Sequence, residues 1–324
     1  MTPITPPENK TVDAIYQHYE DTRADWRRNH MGASGIGKPC DRALWYSFHW
    51  AMAPEFPGRI LRLFDTGNKE EARIVADLRG IGVEVYDRDP RNPDNQIRYA
   101  DPSCGGHLAG SLDGIGRGFA EAPKTWHVLE FKTVNAAGFA KMQKKGVMET
   151  KPEHFSQIQL YLRWSGLTRA FYFMVCKDTD KIYSERIRYD PEYAAALVER
   201  AHKLIYMPNP PDGISMHGDA WDCKYCDYAP LCKREALPEI NCRTCAHSEP
   251  FKAGGQWSCL RHAHFVDADT MREGCPDHIY LPSLVPVDVA DADPERGTIT
   301  YADGTINGPG AVSSREMRCK YGKR

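Results

Sequence analysis

The chain lacks any apolar run approaching the roughly 20 residues that a membrane-spanning helix needs. Its opening, Met-Thr-Pro-Ile-Thr-Pro-Pro-Glu-Asn-Lys, lacks the apolar centre of a secretory signal. A cytoplasmic location without membrane contact is therefore expected. Net charge is nearly absent: the balance is −2 over 324 residues, so no global field points to a nucleic-acid partner. The glycine-rich stretch Gly32-Ala-Ser-Gly-Ile-Gly-Lys-Pro lacks the Gly-Lys-Ser/Thr of a phosphate loop and has no strand pattern before it, which excludes that reading.

Cysteine, by contrast, is plentiful. Eleven cysteines in a cytoplasmic chain argue for metal ligands over disulfides. Cys223, Cys226 and Cys232 are spaced C-x2-C-x5-C and need a fourth ligand, for which Cys40, Cys104, Cys176 and Cys319 are the candidates. An iron–sulfur cluster and a zinc ion both satisfy such a set. Cys242, Cys245, Cys259 and Cys275 form a second set, C-x2-C-x13-C-x15-C. Four ligands with a knuckle at the start read as a tetrahedral structural Zn²⁺ site, with His247 and His262 as possible substitutes.

The stretch Gly110–Thr133 carries the acid–base content. It reads Gly-Ser-Leu-Asp113-Gly, a turn-rich interval, then Trp-His-Val-Leu-Glu130-Phe-Lys132-Thr. Val128, Leu129 and Phe131 give the second part strand character, and alternation puts Glu130 and Lys132 on one side. If the Asp113 segment pairs with this strand, two carboxylates and an ammonium share one small volume. Hard oxygen donors of that kind suit Mg²⁺ or Mn²⁺, with the lysine acting on a water or a phosphate. A surface hairpin with a cross-strand ion pair is the plainer alternative.

Other expectations follow the chain. Residues 11–30 are helix-compatible, with Val12, Ile15, Tyr16 and Tyr19 at helical spacing. Ala43 to Trp50 is a further helical run. Residues 59–79 form one helix with Leu61, Phe64, Ile74, Val75 and Leu78 on one face. Glu70 or Glu71 on that helix is a candidate for facing the metal site. Residues 133–152 read as a lysine-rich connection. A helix over His154–Trp164 puts Gln157 and Tyr161 on one face. Ala170–Cys176 and Ile182–Arg188 read as strands, and Pro191–Met207 as a long helix. Past Leu281 the chain turns polar, with a small Asp303-Gly304 hairpin and a basic end from Arg315 to Arg324.

The order Asp113, Glu130-Phe131-Lys132, Gln157-x-x-x-Tyr161 resembles the PD-(D/E)XK nuclease superfamily, and its RecB-type branch in particular. One N-terminal cysteine with a C-terminal C-x2-C-x5-C trio resembles the iron–sulfur nucleases, which include AddB-type helicase–nucleases and CRISPR adaptation exonucleases. The resemblance covers roughly residues 30–235. It implies an α/β fold: a restriction-endonuclease-like mixed sheet flanked by helices, followed by a small C-terminal metal-binding module. It implies that Asp113, Glu130 and the Phe131 carbonyl bind Mg²⁺ or Mn²⁺, that Lys132 acts in catalysis, and that Gln157 and Tyr161 position DNA. It pairs Cys40 with Cys223, Cys226 and Cys232 around a [4Fe–4S] cluster. Where the family often has Gly-His on the first helix this chain has Gly67-Asn68, which leaves His107 as a weak substitute. The motif at Asp113 also lacks the proline of the superfamily's name.

The expected organisation is a leader and helix over 1–30, a nuclease domain over 31–235, a zinc-binding module over 236–285, and a polar hairpin with a basic tail over 286–324. The expected function is a metal-dependent DNA exonuclease of replication, recombination or repair, with a recombination or replication protein as partner and no oligomeric state implied. The alternative is a non-catalytic nucleic-acid-binding or assembly module on the same scaffold. A third reading is an adaptor whose zinc-like tail recruits a partner.

Overall fold

The computed structural model describes residues 9–215 and 220–321. Most of the leader expected over residues 1–10, and the last three residues of the basic tail, lie outside the described residues. The chain begins with helix α1 (Lys10–Asp21), the short strand β1 (Met31–Gly32), α2 (Asp41–Phe48) and the long α3 (Gly58–Gly80). Then come β2 (Glu84–Tyr86), β3 (Arg98–Ala100), β4 (Leu108–Ser111), β5 (Gly114–Arg117) and β6 (His127–Val134). Helices α4 (Ala136–Thr150) and α5 (Pro152–Ser165) lead to β7 (Arg169–Cys176), β8 (Ile182–Arg188) and α6 (Pro191–Tyr206). The remainder holds the one-turn α7 (Ala229–Cys232), β9 (Ser248–Pro250), β10 (Trp257–Cys259), β11 (His264–Val266) and α8 (Ala268–Glu273). It ends with β12 (Val289–Asp293), β13 (Thr298–Tyr301), β14 (Ile306–Asn307) and α9 (Ser314–Tyr321).

The architecture is mixed α/β. A five-stranded sheet runs β2-β5-β6-β7-β8, with β6 and β7 parallel and the other neighbours antiparallel. The parallel pair needs a crossover, and α4 with α5 supplies it. Alternation along the strands builds two cores. Leu129, Phe131, Phe171, Phe173 and Val175 pack with Ile74, Val75 and Leu78 of α3. Val128, Ala170, Tyr172 and Met174 face the other way, toward Ile158 and Leu162 of α5 and Leu197 and Leu204 of α6. A three-stranded sheet, β1-β4-β3, stands beside the main one.

Several expectations change. The region expected to be helical over 11–30 is helical only to Asp21. The lysine-rich connection over 133–152 is helix α4, opened by Asn135, whose side chain accepts Gly138 N–H at 2.9 Å, and kinked at Gly146 with φ 71°. On α3 the buried apolar side chains are Ile74, Val75 and Leu78; Phe64 is exposed, because the first half of the helix packs on α1 and not on the sheet. The hairpin expected at Asp303-Gly304 forms between β13 and β14.

The segment beyond residue 235 is packed into the rest. Cys242, Trp257, Val266 and Met271 join the same buried cluster as Phe48, Trp50 and Leu108. Arg243, 1% exposed, lies 3.8 Å over the Trp50 ring and donates to the carbonyls of Phe48 at 2.8 Å and Asn29 at 3.0 Å. No helix among the described residues is long and apolar enough to cross a membrane.

Candidate active site and cysteine sites

Asp113 sits where the chain leaves β4 of the small sheet and enters β5 of the main one. The last β5–β6 pair is Gly114 with Leu129, so the Phe131 N–H lies beyond the ladder. Asp113 Oδ2 accepts that N–H at 2.7 Å, which brings the Asp113 carboxylate to the β6 segment bearing Glu130 and Lys132. The pairing expected between the Asp113 segment and the Glu130 strand is present.

Glu130 is fully buried. One carboxylate oxygen is bonded to the Lys132 ammonium, which also donates to the Phe131 carbonyl at 3.2 Å. The other oxygen, Oε2, is buried without a hydrogen-bond partner. α3 supplies a third carboxylate: Glu71 lines the same recess as Asp113, Phe131 and Lys132, together with Gly67, Asn68, Glu70, Ile74 and Thr133. Gln96 orients Glu71 through a bond of 3.1 Å. Of the two candidate glutamates, Glu71 faces the acids, whereas Glu70 pairs with Arg73, which is itself held by Asp180. His107 is no substitute ligand. It is buried away from the recess against Phe48 and Trp257, and its Nε2 bonds to the Phe251 carbonyl at 2.8 Å.

Electrostatics follow from crowding acids in a place poor in water. Burial, then the charge of Asp113, pushes Glu130 up to about 8, against the pull of Lys132. Burial and Asp113 likewise push Glu71 up to about 7. Burial raises Asp113 too, opposed by Lys132 and the Phe131 N–H. Burial alone works against the Lys132 charge, but Glu130 and Asp113 outweigh it and hold the ammonium above its usual range.

Gln157 and Tyr161 stand behind this site. Both are buried, Gln157 Nε2 bonds to the Tyr161 hydroxyl at 3.0 Å, and that hydroxyl donates to the Ser111 carbonyl at 2.7 Å. Their geometry braces the β4 end next to Asp113. It does not present them to a ligand at the surface. Sequence reasoning missed Gly110, where a Cβ would lie 2.7 Å from the Tyr161 ring. Only a glycine allows that approach, and the signal was its place immediately before Ser111. It also missed Gln96, for which no local pattern exists.

The structure brings Cys40, at the N-terminus of α2, to Cys223, Cys226 and Cys232, and the four line one cavity with Ala43, Ile214 and Ala229. The other candidates lie elsewhere: Cys104 and Cys176 are buried, and Cys319 is exposed on α9. Cys242, Cys245, Cys259 and Cys275 line a second cavity, with His247, His262, Asp277 and His278 at its wall. The donor chemistry fits soft metals in both cavities and a hard divalent cation at the acids. Among the described residues, no group of three or more His, Cys, Asp and Glu side chains has metal-holding geometry as it stands. At the acids, the Lys132 ammonium is the cation bonded to Glu130.

No protein-family model matches the chain, and no curated protein matches it. Among solved structures, the one described as SSO0001 is similar over 68% of this chain and 96% of its own, at 17% identity and a TM-score of 0.40. An alkaline exonuclease, LHK-Exo from Laribacter hongkongensis, is similar over 55% of this chain and 89% of its own, at 16% identity and a TM-score of 0.37. The same enzyme in complex with dAMP is similar over 55% of this chain and 87% of its own, at 16% identity and a TM-score of 0.37.

Proposed function

We propose that the chain is a divalent-metal-dependent DNA nuclease, acting as an exonuclease in replication, recombination or repair. One observation carries the reading: a fully buried Glu130 with one unpartnered oxygen, close enough to Asp113 and Glu71 to feel their charge, lies beside a recess that Asp113, Glu71 and Lys132 line. A fold does not bury several acids around one lysine without cost, so the arrangement points to a bound cation and a reaction.

Asp113, Glu130, Glu71 and the Phe131 carbonyl would hold Mg²⁺ or Mn²⁺. The ion would supply charge on the scissile phosphate and a more acidic water. Lys132, charged and held beside Glu130, would act on the phosphate or on the attacking water and neutralise charge as it develops. The Asp113 carboxylate is pinned by the Phe131 N–H, so it holds its position without reorganising. Gln157 and Tyr161 keep the β4–β5 junction, and with it Asp113, in place. Exposed Lys141, Lys144 and Lys145 on α4 offer phosphate contacts that position the strand without reading sequence.

The cysteine sets are structural in this reading. Cys40, Cys223, Cys226 and Cys232 would hold a [4Fe–4S] cluster, tying α2 to the segment after α6. Cys242, Cys245, Cys259 and Cys275 would hold Zn²⁺. Metal and sulfide analysis of anaerobically purified protein tests both assignments, and zinc alone in both sets would refute the cluster.

The decisive experiment is cleavage of end-labelled single- and double-stranded DNA in Mg²⁺ or Mn²⁺, wild type beside Asp113→Ala. Metal-dependent degradation lost in the variant supports the nuclease, and the product ladder gives its polarity. A folded, metal-loaded wild type that cleaves nothing overturns it in favour of a nucleic-acid-binding module.

A further inference from the structure

The recess that holds the acids has an aromatic approach. Phe64 lies on α3 seven residues before Glu71, so their side chains leave the same face of the helix. Gly67 and Asn68, three and four residues beyond Phe64, line the recess and identify that face as the one turned to the acids. Phe64 is nevertheless 48% exposed, and Leu63 beside it 38%. Phe56 meets the Phe64 ring edge-on, with centroids 5.2 Å apart at 80°, so the ring is oriented by a neighbour before any ligand arrives.

The recess itself is small, about 220 Å³, and the fully buried Glu130 lies beside it. A phosphodiester group enters such a space, and a base that stacks on a protein ring beside it is one free of its pairing partner. A strand whose phosphate reaches these acids can run along the face of α3 that carries Phe64. Seven residues of helix separate Phe64 from Glu71 by about 10 Å along the axis, within the reach of the first few nucleotides from that phosphate.

We propose that Phe64 is a stacking platform for a nucleobase of a single DNA strand engaged at Asp113, Glu130 and Glu71. The inference rests on the nuclease reading and deepens it by naming the single strand as the form of substrate. Phe56 acts as the support that sets the Phe64 ring. Every base offers a π face, so the contact tolerates any sequence.

The test uses full-length protein and oligonucleotides carrying 2-aminopurine at one of the first few positions from either end. Bound to the Asp113→Asn protein, single strands should show fluorescence quenching at a defined position. Adding Phe64→Ala should remove the quench, Phe64→Tyr should keep it, and Phe64→Leu should not. In otherwise wild-type protein, Phe64→Ala should raise KM for single-stranded DNA roughly 5- to 100-fold, again with rescue by tyrosine. Thermal melting of each variant separates loss of stacking from loss of fold. No position-specific quench and an unchanged KM, in a protein that still cleaves, overturn the stacking role and leave the nuclease reading intact. Equal quenching on blunt duplex overturns the single-strand assignment. A Phe64-dependent quench, with wild-type protein that cleaves nothing, keeps the platform and sinks the nuclease.

Discussion

Around Glu130 the chemistry is decided by which charges are neighbours. Asp113, Glu71 and Glu130 all bear on Lys132, and it answers them as a fixed cation. Lys132→Ala should lower kcat by at least about 100-fold, as loss of a preorganised positive donor does, while DNA affinity measured by anisotropy changes little. Full activity in that variant would remove Lys132 from the mechanism. Glu71→Gln should raise the Mg²⁺ or Mn²⁺ concentration needed for half-maximal cleavage roughly tenfold or more, since one charged donor is lost. An unaltered metal titration would place Glu71 outside the metal's reach. The chemistry of Asp113, Glu130 and Lys132 was legible in the sequence because a strand's alternation is local. The choice of Glu71 over Glu70 was not, because it depends on how α3 is rotated toward Asp113 and Gln96, which lie far along the chain.

Elements show the same division. Helices α3, α5 and α6 and strands β7 and β8 were legible from periodicity and from proline or glycine at their ends. Helix α4 was not: Gly138, Gly146 and its lysines hide a helix that Asn135 caps and tertiary contacts hold. Glu185, from β8, accepts the Val147 N–H at 2.9 Å just past the kink. Close approach is another feature that no local pattern reveals. A Cβ on Gly58 would lie 2.0 Å from the Tyr16 carbonyl oxygen, so α1 can sit on the start of α3 only because residue 58 is glycine. Gly58→Ala should therefore push α1 away and cost about 1–3 kcal/mol in denaturant unfolding. Early proteolysis within residues 10–21 should accompany it, and a variant as stable and as resistant as wild type would show that α1 is not held there.

For the whole molecule, the segment from 236 onward acts as a wall of the core. Trp257 packs 5.5 Å from Phe48, and Arg243 covers Trp50. Removal of residues 236–324 should leave a fragment that lacks a cooperative melt and binds hydrophobic dyes, because large aromatic faces lose their cover. A soluble fragment melting as wild type does would show instead that the two parts are independent.

Buried histidine couples the same core to pH. His49 is stacked on Trp45 at 3.6 Å, and burial holds it down at about 3 from an ordinary 6.5. As pH falls below 6.5, the unfolded chain takes up a proton that the folded one refuses, so the stabilisation due to neutral His49 is present above 6.5 and is lost toward 3. The stability gap between wild type and His49→Gln should thus shrink by about 1.4 kcal/mol per pH unit below that point. A gap constant from pH 7 to pH 5 would mean that His49 titrates normally.

By itself the sequence determined the candidate groups and the local elements: the acid–lysine strand, the two cysteine sets, and most helices and strands of the sheet. These rest on spacings of a few residues, where backbone geometry alone dictates who is neighbour to whom. Only the tertiary structure decided that Cys40 shares a cavity with Cys223, Cys226 and Cys232, that Glu71 lines one recess with Asp113 and Lys132, and that Arg243 lies over Trp50. Each of these joins residues far apart in the chain, and what brings them together is the packing of whole faces, to which no single stretch holds the pattern.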